Sequence, residues 1–61
     1  MKFNVHAWTG DKWLFVKVVE ADTDREAVHS VAKQFHLKGS FCSYPHESAS
    51  GSGNPVYTEV E

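Results

Sequence analysis

Lys2-Phe3-Asn4-Val5-His6-Ala7-Trp8-Thr9-Gly10-Asp11-Lys12-Trp13-Leu14-Phe15-Val16-Lys17-Val18-Val19 is the stretch that decides how this chain folds. Lys2 to Trp8 alternates strictly, and Trp13 to Val19 alternates in part, with Thr9-Gly10-Asp11-Lys12 between them. Period-two alternation on both sides of a short Gly-Asp segment predicts a β-hairpin. With Gly10 and Asp11 central in a type II′ turn, glycine supplies the positive φ, Thr9 pairs with Lys12, and the register follows. That register sets Phe3, Val5 and Ala7 opposite Val18, Val16 and Leu14, an apolar face expected to meet the core. The other face receives Lys2, Asn4, His6 and Trp8 opposite Val19, Lys17, Phe15 and Trp13.

Downstream, Thr23-Asp24-Arg25-Glu26 has the form of a capping box. The Thr23 hydroxyl is placed to accept from the Glu26 amide, and the Glu26 carboxylate to accept from the Thr23 amide. Ala27, Val28, Val31, Ala32 and Phe35 follow at three- and four-residue spacings and form one apolar stripe, expected to cover the hairpin's apolar face. His36 and Lys38 suit the negative end of the helix dipole, and Gly39 is the expected left-handed stop, so the helix should run roughly from 24 to 37. Ser40 to Tyr44 and Val56 to Val60 read as a third and a fourth strand. Between them, residues 46–54 are rich in Ser and Gly and read as a flexible loop. No repeat or interdomain linker interrupts residues 1–61, so the expectation is one small α+β domain. Its antiparallel sheet has three to four strands, one helix packs on one face, and the order is β-β-α-β-β.

The composition suits such a domain. With 61 residues, 41% hydrophobic and 23% charged, the chain lies well away from the low-hydrophobicity, high-charge mix that stays unfolded. A chain of this size hides only about 60% of the surface its unfolded form exposes, which suffices for one core. Cys42 is the single cysteine and has no internal disulfide partner, which favours a reducing, cytoplasmic setting. No segment approaches the roughly 20 apolar residues that span a bilayer, and no membrane partner is expected. A formal charge of −2 supplies no global attraction to phosphate polymers, so nucleic-acid binding would depend on local segregation of charge.

Candidate chemistry is sparse. His29 and His36 lie seven residues apart, roughly 10 Å along a helix, too far to share one ion. His6 sits on the hairpin, and Cys42 with His46 lacks a second close pair of ligands. Cys42 reads as a small buried hydrophobe, and Asp22, Asp24 and Glu26 are accounted for by the start of the helix. No phosphate-cradling glycine loop occurs. The expectation is a non-enzymatic protein without metal or cofactor.

The hairpin's second face is the more informative feature. Trp8 opposite Trp13, with His6 opposite Phe15, forms a cross-strand aromatic ladder flanked by Lys2, Lys12 and Lys17. Such rings can fold under as a second small core, form a homodimer seam, or bind a partner. Trp8, Trp13, Phe15, His6, Lys17 and Lys12 are therefore the candidate partner-binding residues. Tryptophan anchors suit a protein partner. Base stacking beside lysines would suit single-stranded nucleic acid, but the net acidity and only six basic residues favour protein.

The succession of hairpin, capped helix and strand, with the run Val18-Val19-Glu20-Ala21-Asp22-Thr23-Asp24-Arg25-Glu26-Ala27, resembles the small host-takeover proteins of lytic phages, notably the podophage inhibitors of bacterial RNA polymerase. The similarity covers residues 2 to 44. It implies a phage-encoded inhibitor that binds a host bacterial protein in the host cytoplasm. The arginine-bearing strand that follows the helix in those inhibitors has no counterpart in the uncharged Ser40-Phe41-Cys42-Ser43-Tyr44, so none of their binding residues carries over.

Overall fold

The structure is a computed structural model that describes residues 1–46 and 55–61. Strands β1 (Lys2–Trp8) and β2 (Trp13–Glu20) form the hairpin, helix α1 (Asp24–Phe35) follows, and strands β3 (Gly39–Pro45) and β4 (Val56–Val60) complete an antiparallel sheet of order β2-β1-β3-β4. The fold is α+β, as expected, and β1 lies inside the sheet because β3 returns beside it. The Ser/Gly loop expected at 46–54 lies outside the described residues except for His46. That residue is held in place, its Nδ1 2.8 Å from Asn4 Oδ1.

The hairpin turn has Gly10 at φ 99°, the positive φ that its position demands. Thr9 N–H donates to the Lys12 carbonyl (3.0 Å), while the Lys12 N–H turns to the Thr9 hydroxyl (3.2 Å). Near the turn the expected register holds, with Trp8 opposite Trp13, Ala7 opposite Leu14 and His6 opposite Phe15. Beyond it the register shifts at a bulge between Val5 and His6. Val5 then faces Lys17, Asn4 faces Val18 and Phe3 faces Val19, in place of the expected Val16, Lys17 and Val18. One extra residue in β2 is enough to move the following side chains to the opposite face. Val16 and Val19 pack against the core, and Lys17 turns toward the helix, its Nζ donating to Gln34 Oε1 at 3.4 Å.

Thr23 caps α1 as expected, its hydroxyl accepting from Glu26 N–H (3.2 Å). The reciprocal bond falls one residue earlier than the sequence suggested, with the Glu26 carboxylate accepting from Asp22 N–H (3.4 Å). Asp24 does more than complement the dipole. Its carboxylate accepts from the hydroxyl of the buried Ser43 at 2.8 Å, tying the first helical turn to β3.

The helix ends before Gly39. His36 is the left-handed residue (φ 56°), and the N–H groups of His36 and Leu37 both return to the Ala32 carbonyl, the first as in an αL cap and the second as the 6→1 bond of a Schellman motif. Gly39, at φ 110°, instead turns the chain into β3.

Phe3, Val5, Ala27, Val28, Val31, Ala32 and Phe41 form the core, with Ala7, Val16, Val19, Ala21 and Val60 at its margin. Two residues expected in it are largely outside: Leu14 is 53% exposed and Phe35 47%. Both lie where the hairpin outruns the helix. There they line an open apolar groove with Leu37, floored by Ala7 and Phe41. No described helix is long and apolar enough to cross a membrane.

Candidate functional site: an open aromatic face

The face of the sheet turned away from α1 is built by alternation. β1 contributes Lys2, Asn4, His6 and Trp8, and the residues opposite them on β3 are Tyr44, Cys42 and, by continuation, Ser40. β4 adds Tyr57 opposite Cys42 and Glu59 opposite Ser40. β2 adds Trp13, Phe15 and, past the bulge, Val18 and Glu20.

The rings make two connected groups. Trp8 meets Trp13 with centroids 5.1 Å apart, and Trp13 meets Tyr57 at 5.8 Å. His6 is packed edge-on against Phe15 at 5.3 Å and stacked on Tyr44 at 5.6 Å. Trp13 and Tyr57 belong to the two edge strands, which are separated by three strand spacings, about 14 Å. Their rings nevertheless meet, so both reach inward across the face. An aromatic strip therefore runs from one edge of the sheet to the other.

Depth separates its residues. Asn4 and Cys42 are buried at the floor, His6 and Tyr44 are half-buried, and the upper rings remain open, with Trp8 43%, Trp13 36%, Phe15 51% and Tyr57 66% exposed. Burial pushes the Cys42 thiol above its ordinary pKa of 9.0, which keeps it protonated. The Nδ1 atom of His6 is buried without a hydrogen-bond partner among the described residues.

Four of the six predicted site residues, Trp8, Trp13, Phe15 and His6, come together on this face. Lys12 lies exposed at its rim in the turn. Lys17 does not belong to it: the bulge carries Lys17 to the helix side, where Gln34 meets it. Sequence reasoning missed Tyr44 and Tyr57. The alternation of Val56 to Val60 marks Tyr57 as a surface residue, but its place opposite Cys42 depends on β3 joining β1, which local pattern does not encode. Among the described residues, no three His, Cys, Asp or Glu side chains gather as a metal site.

No family model matches the chain, and no curated protein or solved structure is significantly similar to it.

Proposed function

We propose that this chain is a small non-enzymatic binding module that takes a protein segment onto its open aromatic face, with Trp8, Trp13 and Tyr57 as anchors and Phe15, His6 and Lys12 around them. The observation that carries the reading is the openness of four large rings on one surface of a domain with a very small core. Leaving such apolar area in water forgoes about 25 cal/mol per Å², so a partner that covers it recovers free energy already available. The loss of Lys17 from this face weighs toward protein rather than single-stranded nucleic acid, which needs cations beside its stacking rings. The resemblance to phage host-takeover proteins makes a bacterial host protein the partner class, with inhibition as the effect.

The test is capture from bacterial lysate with the intact protein and with a Trp8→Ala, Tyr57→Ala variant, each with and without nuclease. The expected result is a protein retained by the intact chain, lost with the variant and indifferent to nuclease, whose activity falls when the purified components are mixed. Retention that requires intact nucleic acid and fades steeply with salt would replace this reading with a nucleic-acid binder.

A further inference from the structure

The two edges of the sheet are finished differently. β4 is preceded by Pro55 and carries Glu59, a proline and a charge of the kind that discourages further strand pairing. β2 opens with Trp13-Leu14-Phe15-Val16, which has neither charge nor proline, and its first three side chains are exposed. The bulge that follows confines this flat, uncharged edge to its first half.

The direction of the backbone groups follows from two hydrogen bonds. Ala21 N–H donates to the Met1 carbonyl at 2.8 Å and Thr9 N–H to the Lys12 carbonyl at 3.0 Å, so the odd-numbered residues of β1 turn their polar groups toward β2. Ala7 and Leu14 then form a hydrogen-bonded pair, while Trp13 and Phe15, opposite Trp8 and His6, direct their N–H and C=O groups away from the sheet. Trp13 leaves this backbone edge uncovered, because its ring leans inward to Tyr57.

We propose that the Trp13–Val16 edge pairs antiparallel with the same edge of a second copy of this chain, about a two-fold axis through Leu14. Trp13 of each copy then faces Phe15 of the other, and Leu14 faces its own counterpart. Both facing pairs are of the closely spaced, hydrogen-bonded kind and supply about four backbone hydrogen bonds. A shift of two residues either way leaves only one such pair, since it runs Trp13 into the bulge or Phe15 into the turn. The favoured register brings the exposed Leu14 side chains of the two copies together and merges the two aromatic faces into one surface of eight strands, with both helices on the other side. The dimer goes beyond the binding reading and rests on the main-chain groups of Trp13 and Phe15 and on Leu14, not on the aromatic rings.

Sedimentation equilibrium of the full chain over a micromolar concentration series tests it, together with two variants. Leu14 is exposed, so the monomer tolerates changes there. Leu14→Lys sets two like charges opposite each other on the axis and is expected to weaken dimerisation at least about tenfold with an unchanged circular dichroism spectrum. Leu14→Cys in a Cys42→Ala background is expected to give a covalent dimer on mild oxidation, because Leu14 faces its counterpart as a non-hydrogen-bonded pair, whose Cα atoms lie within disulfide reach, about 4.5 Å. A chain that remains monomeric throughout the series overturns the proposal. So does a dimer that Leu14→Lys leaves intact but Trp8→Ala abolishes, which would place the seam on the aromatic face.

Discussion

His36 holds the left-handed conformation that ends α1, and for any residue with a Cβ that conformation costs roughly 1–2 kcal/mol relative to right-handed backbone. Glycine escapes the cost but gives up more chain entropy on folding, so His36→Gly is expected to stabilise the domain by about 0.5–1 kcal/mol. The shift is readable as a higher urea midpoint with an unchanged slope; a lower midpoint would mean the imidazole contributes more at the helix end than the strain costs. Cys42 gives a prediction about pH. Its pKa is raised in the fold, so the native state holds the thiol proton more tightly than the unfolded chain does. Stability is unaffected by this group below the ordinary value of 9.0, and falls as pH climbs from there through the folded pKa. Urea midpoints measured at neutral and alkaline pH should drop more for the native chain than for Cys42→Ala. An equal drop would assign the alkaline loss to other groups.

Among the elements, the helix and hairpin were legible because their signals are local. Thr23 with Glu26, the stripe from Ala27 to Ala32, and Gly10 in the turn each rest on residues a few positions apart. The bulge was not legible, because Val16, Val18 and Val19 are interchangeable as apolar β-formers, and either register gives β2 a valine facing the core. Only the three-dimensional demand, with Val16 and Val19 against the core and Lys17 free to reach Gln34, selects the shift. The helix stop was misplaced for a related reason: Gly39 is the residue best suited to positive φ, but the chain needs that freedom to enter β3. Phe35 shows the limit of the stripe, since periodicity gives direction and not depth. Phe41→Ala is expected to cost about 3–5 kcal/mol, as for a fully buried ring, and Phe35→Ala under about 1.5 kcal/mol. Chemical denaturation of the two variants measures the contrast, and comparable losses would place Phe35 in the working core.

For the whole molecule, the division of labour between the two sheet faces is the central point. One face spends its apolar side chains on α1 and closes. The other collects Trp8, Trp13, Phe15, His6, Tyr44 and Tyr57 over a floor of Cys42 and Asn4 and stays open at the top. The hairpin half of this surface could be read from alternation alone. The half contributed by β3 and β4 could not, because sheet order is a long-range property. The most direct measurement of whether this open face is a surface rather than a second core is the unfolding free energy of Trp8→Ala, Tyr57→Ala. Trp8 is 43% and Tyr57 66% exposed, so a native circular dichroism spectrum and a loss below about 2 kcal/mol are expected, with partner capture abolished. A variant that no longer folds, or that loses stability on the scale of Phe41→Ala, would show that the rings hold the domain together and would contradict the account.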